Sequence, residues 1–237
     1  MAEFRQIAFM SGKGGVGKTS LLVAFSRRLQ GRVSILDLDF SNPVAHIALG
    51  LNHHTHGTLK GYRIAPVAWE KGEVGSLAFF TVPGGIIRHS AEHRAQFLED
   101  FISNLAWQPY DWLLIDTAPA LTQENEVILK MLDPEVVLVG EPGPLALEWV
   151  IRTPLFLECV KAKVLGLVGN KGLDAGGLAE DLGLADLGTV PLAPDPSQVA
   201  VPDFTRFKGR RLGEAGLALK AKRWLAREGL AAVLEVE

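Results

Sequence analysis

The sequence contains very little cysteine: Cys159 is the only one among 237 residues. A lone cysteine cannot close a disulfide within the chain, which is typical of proteins from a reducing compartment. It also cannot supply the four thiolates that hold an iron–sulfur cluster, and a symmetric pair of chains would bring only two. We therefore expect no iron–sulfur cluster among the cofactors of this protein.

Long apolar runs and an excess of positive charge are also missing. No stretch reaches the roughly 18 apolar residues that a membrane-spanning helix needs, and the N-terminus lacks a secretory signal pattern. The formal net charge is −3, so bulk charge gives no strong indication of nucleic-acid binding. With 48% hydrophobic and 22% charged residues, the composition is that of a folded protein, and we expect one cytoplasmic domain over residues 1–237.

The most informative stretch is the glycine-rich segment SGKGGVGKTS at residues 11–20. It follows a short apolar run and precedes a helical pattern, and it fits the phosphate-loop motif G-x-x-x-x-G-K-[ST]. In such a loop, glycines let backbone N–H groups point at phosphate oxygens, and the following helix presents its positive end to the same anion. The predicted nucleotide contacts are Gly12, Lys13, Gly14, Gly15, Val16, Gly17, Lys18, Thr19 and Ser20.

Three side chains of this loop carry its expected chemistry. Lys18 can reach the outer phosphates, and the hydroxyl of Thr19 can ligate Mg²⁺. Lys13 is not required by the general motif. Its presence completes the stretch K-G-G-V-G-K-T, which resembles the deviant Walker A loop of the MinD/ParA/Mrp class of ATPases.

Aspartates follow two of the predicted strands. Asp116 ends the run at 112–115, and an apolar strand that delivers an aspartate beside a phosphate loop is the Walker B arrangement. Its carboxylate is predicted to hold Mg²⁺ through water. Asp37 and Asp39 end the run at 32–36. We expect one of this pair to join the magnesium shell and the other to face the γ-phosphate and orient water.

Apolar runs alternate with helical patterns along most of the chain. This alternation predicts an α/β fold with a doubly wound, mainly parallel sheet and helices on both faces. The residues from 40 to 76 form the least regular part, with at most a short helix near 44–49. Strands are predicted at 7–10, 32–36, 77–82, 112–115, 136–139, 164–168 and 188–190, and helices from the phosphate loop to Gly31, from a Ser90 cap through 105, at 145–157 and at 214–225.

Further segments resemble the Mrp/ApbC branch of the same superfamily, which is close kin of MinD. They are DLDFSNP at 37–43, the Walker B segment at 106–121, VGEP at 139–142, LGLVGN at 165–170 and GTVPLAP at 188–194. The resemblance extends from residue 6 to about 205. It implies ATP or ADP with Mg²⁺ as ligands, an ATP-dependent homodimer, and a protein partner or cargo.

The resemblance also implies a role for each matching residue. Lys13 would reach across the dimer interface to the phosphates bound by the other chain, and Asp39 would position the attacking water. Asp37 and Asp116 would lie in the outer shell of Mg²⁺. Asn170 would hydrogen-bond the adenine, in a base pocket formed with Pro191, Leu192 and Ala193.

The sequence departs from this branch at two places. Residues 171–177 contain no cysteine where the branch usually carries C-x-x-C, which again favours the absence of a cluster. The Walker B segment has Ala118 where the branch has proline, although Pro119 is present.

Three functions are compatible with these residues. The first is a Mg²⁺-dependent ATP-hydrolysing switch that dimerises around nucleotide and positions or carries a partner. The second is a nucleotide-gated binding or scaffold module with negligible hydrolysis. The third is a small-molecule kinase on the same fold, with an acceptor pocket in residues 50–90.

Two weaker patterns favour structural roles. His89 and His93 fit H-x-x-E-H, a zinc-protease pattern, but a short motif beside a helix start is better explained as a structural or solvated pair. The basic residues of the C-terminal stretch favour a helix packed on the sheet, with membrane contact as the weaker alternative. They are Lys220, Lys222, Arg223 and Arg227.

Overall fold

The computed structural model describes residues 4–40, 42–50, 57–59, 62–64, 69–71, 75–81, 88–104, 110–142, 153, 156–193, 199–211, 220, 223 and 226–227. The strands are β1 (Arg5–Met10), β2 (Gly31–Leu38), β3 (Gly57–Leu59), β4 (Tyr62–Ile64), β5 (Trp69–Lys71), β6 (Gly75–Thr81), β7 (Trp112–Thr117), β8 (Glu135–Gly140), β9 (Lys163–Gly169), β10 (Asp186–Thr189) and β11 (Arg210–Arg211). The helices are α1 (Lys18–Ser26), α2 (Ala45–Leu49), α3 (Ala91–Asn104), α4 (Gln123–Leu132) and α5 (Gly176–Leu182).

Within the described residues, one sheet has the strand order β10-β9-β8-β1-β7-β2-β6-β5, and β11 pairs with the start of β9. Every neighbouring pair from β10 to β6 is parallel, whereas β5 and β11 run antiparallel to their neighbours. Strand β1 lies in the middle, and the later strands extend the sheet on both sides of it. The predicted fold class is confirmed.

Both faces of the central strands are covered, which explains their continuous apolar sequences. On one face, Phe9 of β1 packs against Phe25 of α1 and against Phe204, with ring centroids 6.3 and 6.0 Å apart. On the other face, Ala8 belongs to a buried cluster with Leu98 and Phe101 of α3. Adjacent residues of one strand therefore anchor helices on opposite faces, as the alternation of side chains along a strand requires.

The structure corrects the sequence prediction in three places. Helix α1 ends at Ser26, and Gly31 opens β2 with φ +94° instead of ending the helix. The strand expected at 188–190 lies earlier, at Asp186–Thr189. The stretch from 40 to 76 contains the predicted short helix, α2, but it also includes the short strands β3, β4 and β5.

Some predictions fall largely or wholly on residues outside the described ranges. These are the helices at 145–157 and 214–225. In the part of the chain that the structure describes, no helix combines the length and apolar character needed to cross a bilayer. The assignment of residues 1–237 to one domain stays a prediction.

Candidate nucleotide-binding site

The predicted site residues converge at the carboxyl edge of the parallel strands. Asp37 and Asp116 are direct partners in the register between β2 and β7, and Phe9 of β1 pairs with Asp116 from the other side. The loop that follows β1 therefore begins beside both aspartates. This edge, next to the strand where the sheet order reverses, is where open α/β sheets bind ligands.

The phosphate loop takes its shape from glycine. Gly15 and Gly17 have φ values of +78° and +94°, a region that strains other residues. A Cβ on Gly17 would also overlap the Nδ2 atom of Asn170. Helix α1 begins directly after Gly17, with no side-chain cap and no acidic residue in its first turn. Its first backbone N–H groups therefore suit an anion.

Lys18, Thr19 and Asp116 form the centre of the site. The Thr19 hydroxyl donates to Asp116 Oδ2 over 2.5 Å, and Lys18 is buried close enough for both Asp116 and Asp39 to act on its charge. Burial lowers the pKa of Lys18, an effect that the two carboxylates oppose. A buried ammonium beside a glycine loop is well placed to neutralise phosphate charge.

The environment of Asp116 suits a divalent cation. Burial raises its pKa to about 6, and the hydrogen bond from Thr19 only partly opposes this rise. Its second oxygen, Oδ1, is buried and has no hydrogen-bond partner. A buried carboxylate oxygen without a partner is costly, and a hydrated Mg²⁺ beside Thr19 would satisfy it. The donor set present therefore fits the predicted metal.

Asp37 has a structural role that the sequence did not reveal. Its side chain is fully buried, Oδ2 accepts from the backbone N–H of Ala45 over 2.9 Å, and Oδ1 accepts from that of Asp39 over 3.3 Å. It thereby ties the start of α2 and the turn after β2 to the sheet. Burial, followed by repulsion from Asp116, raises its pKa to about 8. A nearby cation would relieve this repulsion, so the outer-shell role stays a prediction.

Asp39 lies immediately beyond β2, at the rim of the same site. One of its oxygens accepts from the backbone N–H of Asn42 over 3.1 Å. Its charge acts on both Lys18 and Asp116, so these three groups lie close together. Its role in positioning water stays a prediction.

The loop after β7 closes the site from another side. Ala120 has φ +70°, and its backbone N–H donates to the Ser11 carbonyl over 3.0 Å. The fully buried Asn125 holds this turn, since its Nδ2 donates to the carbonyls of Ala118 and Ala120 over 3.0 and 2.7 Å. Sequence reasoning missed Asn125. The available signal was its place three residues after Thr122, whose side chain caps α4.

Lys13 forms an ion pair with an acidic residue of its own chain. Its Nζ lies 2.8 Å from Glu141 Oε1, while Lys171 Nζ lies 2.6 Å from Glu141 Oε2 and 2.6 Å from the Gly15 carbonyl. Sequence reasoning passed over Glu141 and Lys171 as functional residues. Glu141 belongs to a segment that supported the resemblance, but nothing in the sequence indicated that it would contact the phosphate loop.

Of the residues predicted to surround adenine, Asn170 contacts the phosphate loop, and residues 191–193 differ in exposure. Asn170 Nδ2 donates to the Val16 carbonyl over 2.7 Å, so this amide supports the phosphate loop directly. Leu192 is 72% exposed, which is unusual for leucine, and Pro191 is exposed beside it. Ala193 is partly buried. Base recognition by these residues stays a prediction.

The histidine pattern shows no sign of a metal centre. The rings of His89 and His93 stack 4.4 Å apart at the start of α3, where Ser90 accepts from the backbone N–H of His93 over 3.2 Å. The predicted Ser90 cap is thus present. Among the described residues, His89 and His93 belong to no group of three or more histidine, cysteine or acidic side chains that could hold a metal ion.

Comparison with known families gives the site its context. Residues 4–175, well over half of the chain, match the family described as ParA, NUBPL iron-transfer P-loop NTPase. The chain belongs to this family. The predicted membership of the MinD/ParA/Mrp superfamily is confirmed, and with it a nucleotide-binding P-loop NTPase.

Curated relatives extend the match over most of the chain. The cytosolic Fe–S cluster assembly factor CFD1 of Saccharomyces cerevisiae is 28% identical, over 79% of this chain and 74% of its own. The factor of the same name from Eremothecium gossypii is 30% identical, over 79% of this chain and 77% of its own. The cytosolic Fe–S cluster assembly factor NUBP2 of Bos taurus is 27% identical, over 82% of each chain.

These relatives overturn one expectation. The prediction that no iron–sulfur cluster is among the cofactors of this protein is wrong, because its relatives are Fe–S cluster assembly factors by name. That prediction depended on the single Cys159. A cysteine count limits the ligands that one chain supplies by itself, and it does not bear on assemblies with other proteins.

Solved structures agree on the fold. A nucleotide-binding protein from Archaeoglobus fulgidus in complex with ADP has a TM-score of 0.60 and 24% identity, over 81% of this chain and 83% of its own. The septum site-determining protein MinD of Pyrococcus horikoshii, complexed with Mg-ADP, has a TM-score of 0.59 and 20% identity, over 99% of this chain and 100% of its own. At these identities the likeness shows the fold alone.

Proposed function

We propose that this P-loop NTPase is a Mg²⁺-dependent ATPase that acts as a switch and dimerises around nucleotide. One observation carries the proposal: the buried Lys18, the Thr19–Asp116 pair and the rim residue Asp39 surround a glycine loop at one sheet edge. Lysine, a magnesium-ligating hydroxyl and a carboxylate at the end of a strand are the groups that ATP hydrolysis uses in this class of site.

Each residue has a part in that chemistry. Mg²⁺, when bound, supplies positive charge that the phosphates need, and Thr19 and Asp116 are the residues that would hold it, with Asp37 behind them. Lys18 and the loop N–H groups stabilise charge on the transferred phosphoryl group. Asp39 orients the attacking water from the rim of the site.

Lys13 is the residue that makes the switch depend on a second chain. In a nucleotide-bound dimer, it adds positive charge at the phosphates of the opposite site. A cation supplied across an interface acts on the transition state only when the interface is formed. Hydrolysis would then reset the dimer instead of making a metabolite.

The relatives suggest the process that the switch serves. Proteins named as cytosolic Fe–S cluster assembly factors match this chain over about four fifths of its length. We therefore infer a role in iron–sulfur cluster assembly in the cytosol, together with a partner protein. The cluster is cargo in this proposal, and the chain contributes nucleotide-driven conformational change.

Phosphate release from Mg-ATP tests the proposal most directly. The purified protein should release phosphate, whereas Asp39→Ala should bind ATP, release at most about a hundredth as much phosphate and accumulate as a dimer. Lys13→Gln should release little phosphate and remain monomeric. Mass in solution, measured with and without ATP, follows the dimer.

Two other outcomes would contradict this function. Tight ATP binding without phosphate release or dimerisation, also in the presence of a candidate partner, would favour the nucleotide-gated binding module. Phosphate transfer only when a small-molecule acceptor is added would favour a kinase.

A further inference from the structure

Glu141 connects the two lysines at the phosphate loop. Its Oε1 atom lies 2.8 Å from Lys13 Nζ, and its Oε2 atom lies 2.6 Å from Lys171 Nζ. Lys171 also donates to the Gly15 carbonyl over 2.6 Å. The carboxylate thereby joins the beginning and the middle of the loop to the segments that follow β8 and β9.

The register of the parallel strands explains this arrangement. Met10 of β1 pairs with Leu138 of β8, so Lys13 and Glu141 are each three residues beyond a matched pair. Gly140 of β8 pairs with Gly169 of β9, which places Lys171 next to Glu141 on the other side. The register therefore brings the three segments that carry these side chains together at one edge of the sheet.

The two ion pairs differ in exposure. The Lys13 side chain is 48% exposed, the Lys171 side chain 35% and the Glu141 side chain only 14%. Hydrogen bonds from Lys13 and then from Lys171 hold the pKa of Glu141 below its usual range. The carboxylate therefore stays charged, and the most exposed member of the group is the lysine that the proposed dimer requires elsewhere.

Because two lysines share the Glu141 carboxylate, the release of Lys13 costs little free energy. A carboxylate that loses its only partner in a partly buried position is left with a desolvated charge. Glu141 keeps Lys171 when Lys13 leaves, so that penalty does not arise. An exposed pair of this kind also holds its lysine only weakly.

We propose that Glu141 is a positioning residue that holds Lys13 within its own chain and releases it when the nucleotide-bound dimer forms. This inference rests on the proposed function, because it assumes that Lys13 acts in the second chain. Lys171 competes with Lys13 for the same carboxylate and so weakens the hold. The Glu141–Lys13 contact thereby sets the protein concentration at which the dimer appears.

Matched substitutions should move dimerisation in opposite directions. Glu141→Gln removes the ion pair that holds Lys13. A symmetric dimer releases two such lysines. The concentration at which half of the variant is dimeric, measured with a non-hydrolysable ATP analogue, should therefore fall about three- to tenfold. Lys171→Gln leaves Lys13 as the cationic partner of Glu141 among the described residues, so this concentration should rise. A merely structural role for the network would shift both variants the same way. Sedimentation velocity over a concentration series measures these values.

A double substitution tests whether Glu141 acts through Lys13. Lys13→Gln should prevent the dimer, and adding Glu141→Gln should not restore it. Thermal melting of every variant shows whether the fold is kept. An unchanged or weakened dimer in Glu141→Gln, while the wild type still dimerises with the analogue, would overturn this inference and leave the proposed function intact.

Lysine reactivity tests the contact without any dimer. In the nucleotide-free protein, acetylation of Lys13 by an amine-reactive ester, followed by mass spectrometry, should be about threefold faster in Glu141→Gln. Lys130, which pairs with Glu126 on the exposed face of α4, serves as an internal control and should not change. An unchanged Lys13 rate would overturn the inference. A faster rate without a nucleotide-dependent dimer in any variant would overturn the proposed function and, with it, the role assigned to Glu141.

Discussion

The loops after β1 and β7 lie side by side, and both contain residues with positive φ. The first loop uses glycine at these positions, Gly15 and Gly17. The second has Ala120 at φ +70°, and two hydrogen bonds from the buried Asn125 hold the turn around it. A loop can therefore obtain an unusual shape either from its own residues or from a side chain that contacts it, and only the first kind is visible as a motif.

The largest effect is expected from breaking the glycine loop. Gly17→Ala introduces a Cβ at φ +94°, where alanine is strained, and this Cβ also overlaps the Asn170 amide, so the loop and the side chain that supports it must shift. Since several N–H groups would then miss the phosphates, ATP binding should weaken at least about 100-fold. Isothermal titration with Mg-ATP measures the loss.

Gly50→Ala is the matched control for that substitution. Gly50 has φ +77° at the end of α2, and a Cβ there meets no atom of the described residues within 4 Å. The variant should lose a similar backbone contribution to stability and keep its ATP affinity. Equal ATP affinities for the two variants would show that ATP binding does not depend on the geometry of the phosphate loop.

The acidic groups beside both loops should make stability depend on pH. Burial raises the pKa of Asp37 to about 8 and that of Asp116 to about 6, whereas aspartates in an unfolded chain titrate near pH ~4. The folded protein therefore binds protons that the unfolded chain releases. Without Mg²⁺ and nucleotide, the free energy of unfolding should therefore decrease as the pH rises from about 4 to 8. Each group contributes up to about 1.4 kcal/mol per pH unit to this decrease.

Urea unfolding at several pH values in the presence of a chelator measures this dependence. Asp37→Asn should remove most of the slope between pH 6 and 8, whereas Glu126→Gln on the exposed face of α4 should retain it. Excess Mg²⁺ should flatten the slope, because a cation stabilises the charged carboxylates. A stability that rises with pH over this range would contradict the assignment.

A smaller effect is expected from breaking the second loop. Asn125→Ala leaves the carbonyls of Ala118 and Ala120 without their side-chain donor, which should cost about 2 kcal/mol of unfolding free energy. Asn125→Asp keeps the volume but not the donor, so it should lose at least as much. Chemical denaturation measures both variants. Gln123→Ala, exposed on the same helix, should stay near the wild type, and a similar loss there would assign the effect to α4 instead of the loop.

The smallest effect is a gain in stability from Ala120→Gly. Glycine adopts φ +70° without strain, so this substitution should stabilise the protein by about 0.5–1 kcal/mol and make the second loop resemble the first. Lys161→Gly, at φ +53° on the exposed surface, provides the same backbone relief away from the site. Thermal melting should show a gain in both variants. A change in phosphate release is expected only for Ala120→Gly, and its absence would mean that strain in this loop does not affect the reaction.

The sequence predicted that most residues of the candidate site lie together at one edge of the sheet, because the main ones belong to local sequence signals. The phosphate loop is one continuous segment, and Asp37 and Asp116 follow apolar runs that had to be buried strands. The contacts of Asn125, Glu141 and Lys171 were not predictable in this way. They form between loops that follow neighbouring strands. A polar residue in a loop carries no sequence signal for such a contact, because its partner lies in a distant segment of the chain.

The sequence by itself determined the α/β sheet and the glycine geometry of the phosphate loop, since each depends on backbone conformation and hydrophobic periodicity within a short segment. Only the tertiary structure decided that Lys13 is held by Glu141, that Asp37 supports α2 and that Asn125 secures a strained alanine. Strand order and register produce those contacts, because they bring together residues that are far apart along the chain.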